Sequence, residues 1–100
     1  MLELQNDNLN EITTANDKVF VMFGASWCGA CKMTKPKVTR MSGENESIQF
    51  VYADAEFMTE SRSLAGKMDN LPTFVAFKNG EMLAKEPGTK SIDKVLEVLK

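Results

Sequence analysis

The chain has 100 residues, 43% of them hydrophobic and 26% charged, with 14 acidic against 12 basic side chains and a net charge of −2, which describes one ordinary globular domain and excludes a disordered polymer or a polyelectrolyte. It contains no histidine and only two cysteines, so Ser-His-Asp and Cys-His catalysis, HExxH metalloprotease chemistry, imidazole zinc sites and any four-thiolate centre built by one chain are ruled out. Without a stripe of Lys and Arg interleaved with aromatics, nucleic-acid binding is not its main task, and the longest apolar run, Val19 to Phe23, is far short of the roughly 18 residues of a membrane span.

Leu2 and Leu4 alternate with polar neighbours and predict a short edge strand, after which Asn6 or Asp7 is placed to cap a helix carrying Leu9 and Ile12. Val19, Phe20, Val21, Met22 and Phe23 form a β-branched and aromatic run of the kind buried on both faces of a parallel sheet, which predicts a central strand. From Trp27 the period becomes helical. Trp27, Ala30, Cys31, Thr34, Val38 and Met41 share one face, predicting a helix from about Cys28 to Met41, with Pro36 removing a backbone donor and bending it midway. The segment SGENES, residues 42 to 47, predicts a polar turn before a strand from Ile48 to Ala53, and strand, helix and strand make one right-handed βαβ unit. A second helix is expected to bury Phe57, Ser61, Leu64, Ala65 and Met68, weakened near its end by Gly66. Thr73 to Phe77 and Met82 to Lys85 flank Asn79-Gly80, and because a type I′ turn needs positive φ at both central positions, these two strands are expected to form an antiparallel hairpin. Ile92, Val95, Leu96 and Leu99, at i, i+3, i+4 and i+7 with Ser91 as N-cap, predict a C-terminal amphipathic helix.

Cys28 and Cys31 are spaced C-x-x-C where the central strand hands over to a helix. Cys28 falls at or just before the first turn, where unpaired backbone N–H groups and the helix dipole stabilise a thiolate and bring its pKa below the free value of about 8.5. Cys31 lies one turn further in, on the inner face, which makes an outer nucleophile and an inner resolving thiol. Gly29 and Ala30 keep the turn small, so a partner backbone can approach. Taken alone, C-x-x-C is also compatible with half of a metal site, with a cluster bridging two chains, or with two unremarkable buried thiols. The start MLELQNDN lacks the basic residues and apolar stretch of a secretory signal, so a cytoplasmic location is expected, where a thiol pair is redox-active or metal-binding more often than structural.

KVFVMFGASWCGACKM resembles the active-site strand and helix of the thioredoxin family, with WCGAC where WCGPC is usual. Asn70-Leu71-Pro72-Thr73-Phe74 resembles the family's cis-proline loop, FKNGE at residues 77 to 81 its hairpin, and Pro87-Gly88 the glycine turn before its last helix. The resemblance spans nearly the whole chain. It implies a three-layer α/β/α fold with a central mixed sheet of five strands and four helices, in one domain over residues 1 to 100. It implies that Cys28 is the attacking and Cys31 the resolving cysteine, that Trp27 packs beside them, and that Pro72 faces the disulfide as a cis-proline, although an X-Pro bond by itself favours trans. Leu71, Thr73 and Gly88, with Gly29 and Ala30, fall where a substrate's extended backbone would be held.

The family's buried aspartate, six residues before the first cysteine, is replaced here by Met22, and the lysine near it by Tyr52. Met22 cannot move a proton, so attack by Cys31 is expected to be slower, or to rely on water or another carboxylate. Gly24 stands where an aromatic is common and Ala30 where a proline is common, which leaves the redox potential open. Asp54 and Glu56 read as solvated loop charge, the seven methionines as an adaptable core, and Lys32, Lys35, Lys37 and Arg40 as a solvated helix face. The function expected is thiol-disulfide oxidoreduction by dithiol exchange: a monomer reducing disulfide-containing proteins, fed by a thioredoxin reductase or similar dithiol donor, with no cofactor beyond the Cys28–Cys31 pair. The alternative is the same fold used as a binding module or accessory subunit of a larger assembly, its thiols incidental.

Overall fold

In the computed structural model, which describes residues 1–100, the run from Val19 to Phe23 sits in β2, Lys18–Gly24, at the centre of a five-stranded sheet of order β1-β3-β2-β4-β5. Every residue of β2 after Lys18 is buried, as a strand covered on both faces must be. β3 (Gln49–Asp54) and the two-residue edge strand β1 (Leu2–Glu3) run parallel to it, whereas β4 (Thr73–Lys78) and β5 (Glu81–Pro87) are antiparallel. Asn79 and Gly80, at φ 52° and 84°, turn β4 into β5 as the Asn-Gly pair predicts.

Alternation along β2 divides the core. Phe20 and Met22 join Phe50, Phe74 and Ala76 beneath α2 (Gly29–Glu44) and α4 (Ile92–Glu97), while Val19, Val21 and Phe23 join Val51, Ala53 and Val75 beneath α1 (Leu9–Ala15) and α3 (Thr59–Ser63). Phe20 packs its ring 5.0 Å from that of Phe50 and 5.8 Å from that of Phe74; each such contact adds about 1 kcal/mol beyond the area it buries. All four apolar residues of the C-terminal pattern, Ile92, Val95, Leu96 and Leu99, are buried, and α4 is entered through a 3-10 turn at Thr89–Ser91. No helix is long and apolar enough to cross a membrane.

Four expectations need correction. α2 continues through Pro36 and runs on over Ser42 and Gly43 to Glu44, because Asn45 closes it by donating from its backbone to Ser42 O and from Nδ2 to Met41 O. α3 covers only Thr59–Ser63: Phe57 precedes it and is 70% exposed, Leu64 is exposed, and Gly66 at φ 79° ends the segment. The N-cap of α1 is Asn8, not Asn6 or Asp7, and Asp7 instead caps α3 from more than 50 residues away, its Oδ2 and Oδ1 accepting from the backbone N–H groups of Glu60 at 2.9 Å and Ser61 at 2.6 Å. Ser91 stands at the N-cap of α4 as expected, but its side chain makes no cap hydrogen bond and instead donates its hydroxyl to Pro87 O at 2.8 Å.

Candidate active site

β2 ends at Gly24, and the chain turns through Ala25 to Trp27 so that the N–H of Cys28 donates to Ala25 O at 3.1 Å. Cys28, in an extended conformation at φ −89° and ψ 109°, is the N-cap of α2, and its sulfur accepts the N–H of Cys31 at 3.2 Å. A cap position normally filled by an oxygen acceptor is thus filled by sulfur, and the donor waiting there favours negative charge on it. One turn on, Cys31 is 2% exposed and Cys28 7%. The two are joined as a disulfide across a Cα–Cα distance of 5.2 Å.

Trp27 does not sink into the core. It is 68% exposed, and its Nε1 donates to Oε2 of Glu56 at 2.8 Å. β2 and β3 run parallel with Gly24 opposite Asp54, so the residues just after both strands emerge at the same end of the sheet, and Glu56 meets Trp27 there. Asp54 closes the turn between them, its Oδ1 accepting from the N–H of Glu56 at 2.8 Å and of Phe57 at 3.0 Å. These two carboxylates, expected to be solvated loop charge, shape the site's rim; the parallel pairing of the two strands was the available signal.

The Leu71–Pro72 peptide is cis. Pro72 is buried, its carbonyl accepts the N–H of Gly88 at 2.8 Å, and Gly88 reaches it at φ 92°, a conformation that favours glycine. Thr73 is buried and donates Oγ1 to Asn70 O at 2.6 Å, so its side chain holds the loop together and is not free to contact a partner. Leu71 packs against the cluster containing both cysteines and, with Trp27, Glu56 and Met68, lines a cavity of about 240 Å³. Gly29 and Ala30 are exposed at the start of α2, and Ala30 borders a second cavity with Met33 and Thr89, next to Gly88. Trp27 and Leu71 therefore share one cleft, while Ala30 and Thr89 border another.

Met22 is fully buried in the cluster holding Cys28 and Cys31. Tyr52, opposite Met22 in the β2–β3 register, is half-buried, with the Lys35 ammonium 4.1 Å from its ring centroid and Lys35 also paired with Glu3. Burial pushes the Tyr52 phenol above its ordinary 10, and the negative charges of Asp54 and Glu3 push the same way.

A C-x-x-C pair capping a helix at the end of a central strand, with a cis-proline loop tied to a glycine turn, coincides with a match of the Thioredoxin family pattern to residues 1–100. The chain belongs to the thioredoxin family. It is 37% identical over 89 residues to the thioredoxin of Mycoplasma genitalium, a match covering 85% of this chain and 86% of that protein. It is 30% identical over 91 residues to the thioredoxin of Mycoplasma pneumoniae, covering 91% and 88%. Its structure superposes on oxidised mitochondrial thioredoxin 3 from Saccharomyces cerevisiae with a TM-score of 0.77 at 28% identity, over 97% of this chain and 94% of that one. The fold of oxidised Plasmodium falciparum thioredoxin matches with a TM-score of 0.84 at 22% identity, over 99% and 97%. The five-stranded mixed sheet with four helices is the thioredoxin fold, and with its C-x-x-C pair this family member is a thiol-disulfide oxidoreductase, a protein-disulfide reductase.

Proposed function

We propose that Cys28 is the attacking thiol of this reductase and Cys31 the resolving one. In the reduced protein the Cys28 thiolate attacks one sulfur of a substrate protein's disulfide; a Cys28–substrate bond forms and the substrate's other sulfur leaves as a thiolate, taking a proton from solvent. Cys31, as thiolate, then attacks the Cys28 sulfur. The Cys28–Cys31 bond forms, the Cys28–substrate bond breaks, and a fully reduced substrate leaves. The observation that carries this reading is the position of the Cys28 sulfur, which caps α2 and accepts the Cys31 N–H at 3.2 Å while Cys31 lies deeper in the core.

Trp27, Gly29, Ala30, Leu71, Pro72, Thr73 and Gly88 form the surface on which an extended substrate segment is laid. Support comes from the cleft between Trp27 and Leu71 and from the exposure of Gly29 and Ala30, with Thr73 contributing through its backbone because its hydroxyl is engaged. The chain carries no nucleotide or flavin motif, so its electrons come from a separate dithiol donor, a thioredoxin reductase or a similar protein, and it uses no cofactor beyond the cysteine pair. A disulfide reductant works in a reducing compartment, here the cytoplasm, and as a monomer, since both faces of its sheet are already covered by its own helices.

Incubating reduced variants with a disulfide-bonded protein substrate tests the assignment. Cys31→Ser accumulates a covalent mixed disulfide, and Cys28→Ser forms none and loses turnover. Retention of the biological activity by Cys28→Ser would overturn the reading in favour of a binding module.

A further inference from the structure

Resolution requires a thiolate at Cys31, and little around that sulfur welcomes one. Cys31 is 2% exposed, in a cluster whose members include Phe20, Met22 and Phe74, surroundings that favour the neutral thiol. The opposite influence lies on the side of Gly24. A Cβ built on Gly24 would stand 2.9 Å from both Cε2 and the hydroxyl oxygen of Tyr52 and 3.2 Å from Sγ of Cys31. Gly24 leaves room for a close approach: a Cβ there would be crowded by the Tyr52 ring, and the Tyr52 hydroxyl and the Cys31 sulfur both border that position. The separation those two distances allow is within the span of one bridging water, and a surface cavity of about 290 Å³ lined by Cys31, Tyr52, Lys32, Lys35 and Asp54 opens beside them.

We propose that the Tyr52 hydroxyl is the group that stabilises the Cys31 thiolate during resolution, donating a hydrogen bond to that sulfur directly or through one water in the cavity both side chains line. The proposal rests on the reading of Cys31 as the resolving thiol. The Cys31 proton leaves to cavity water; the sulfur's electron pair forms the Cys28–Cys31 bond; the Cys28–substrate bond breaks; and the departing substrate sulfur keeps that bond's pair and is protonated by solvent. Tyr52 keeps its own proton throughout, because burial raises its phenol above the ordinary 10 and it remains a donor over the whole working range. The Lys35 ammonium, 4.1 Å above the ring, holds the ring in place. Of the charged groups near the pair, Lys32 and Lys35 on α2 favour the thiolate, while Asp54 at the end of β3 and Glu3 on β1 oppose it; Met22 and Gly24 on β2 carry no charge.

The test uses 5,5′-dithiobis(2-nitrobenzoate) with the full chain in its reduced form, because one coloured thiolate is released when Cys28 attacks and a second when Cys31 resolves. Tyr52→Phe keeps the ring beneath Lys35. The first release should be unchanged, whereas the second slows about tenfold below its pH midpoint and that midpoint moves up by about one unit. Equal slowing of both releases, or a second release unchanged in rate and midpoint, would overturn the proposal. Gly24→Ala displaces the phenol and should reproduce the selective slowing, with the double variant no slower than Tyr52→Phe alone; additive slowing would count against it. Cys31→Ser should release one equivalent, and release of two would instead overturn the reading of Cys31 as resolving thiol.

Discussion

The two ends of one disulfide meet different surroundings. Cys28 is the outer of the two, 7% against 2% exposed, its sulfur at the start of α2 with a backbone N–H pointed at it and an exposed tryptophan before it. Cys31 is the more deeply buried, in the apolar cluster that also holds Met22, with one polar opening on the Tyr52 side. A three-residue step at the start of a helix is enough to produce this difference, because it moves a side chain from the cap, where donors are unpaired, to the buried face. On the proposed assignment the outer thiol meets the substrate and the inner one attacks its neighbour, so the intermediate is resolved within the molecule.

Removing the outward sulfur gives the largest effect. Cys28→Ser should reduce protein-disulfide reduction to the background of the small-thiol reductant, whereas Cys31→Ser should stop after one covalent event, as non-reducing electrophoresis of the quenched mixture would reveal. Equal loss without a trapped species in either variant would erase the distinction between the two thiols.

Met22→Asp places a carboxylate at a fully buried position in the cluster that holds both cysteines. It should lower stability by about 3 kcal/mol at neutral pH, read by denaturant unfolding, since no partner for the carboxylate is provided there. The same change should speed decay of a trapped mixed disulfide by supplying a base. A variant as stable as the parent would show that the pocket admits water freely.

On the outward side, Glu56→Ala releases the Trp27 indole. The bond is exposed, so stability should fall by less than about 1 kcal/mol. Looser orientation of the tryptophan should instead appear as a roughly threefold rise in KM for a protein substrate, with kcat little changed. A fall in kcat alone would place Trp27 in the chemistry and not in substrate binding.

The smallest effect concerns neither sulfur and serves as a control. Asp7 is held below its ordinary 3.8, first by the hydrogen bond with the Ser61 side chain and then by the backbone N–H groups of Glu60 and Ser61, with desolvation opposing. A folded-state pKa lowered in this way contributes stability that is present above the unfolded value and lost as pH falls through the folded one. Asp7→Ala should therefore lower Tm at pH 7, and the gap to the parent should close as pH drops below 3.8. A gap unchanged at pH 2, or any change in the reactivity of either thiol, would contradict this account.

The sequence disclosed these regions unevenly. β2, the β4–β5 hairpin and α4 were legible because each announces itself locally, by an unbroken β-branched run, by Asn79-Gly80, and by an i, i+3, i+4, i+7 stripe. Cys28 and Cys31 were legible by spacing and position, and the thioredoxin resemblance extended the reading to Pro72 and Gly88. α3 was overestimated because Phe57 and Leu64 fit a helical period yet are exposed, so the period alone carried no information about burial. Three contacts remained hidden because they join distant residues: Asp7 to the N–H groups of α3, Glu56 to Trp27, and Tyr52 in the space left by Gly24. The last two become visible only once the β2–β3 register is known, since register decides which loop ends and which side chains share one edge of the sheet, and the first needs the packing of α1 against α3.

The difference between the two thiols is tested most directly by the rate of alkylation of the fully reduced protein against pH, with Cys28→Ser and Cys31→Ser used to assign each phase. The account predicts a fast phase belonging to Cys28 with a midpoint clearly below the free-thiol value of about 8.5, and a slow phase belonging to Cys31. Two thiols that react slowly and titrate together near or above that value would contradict it.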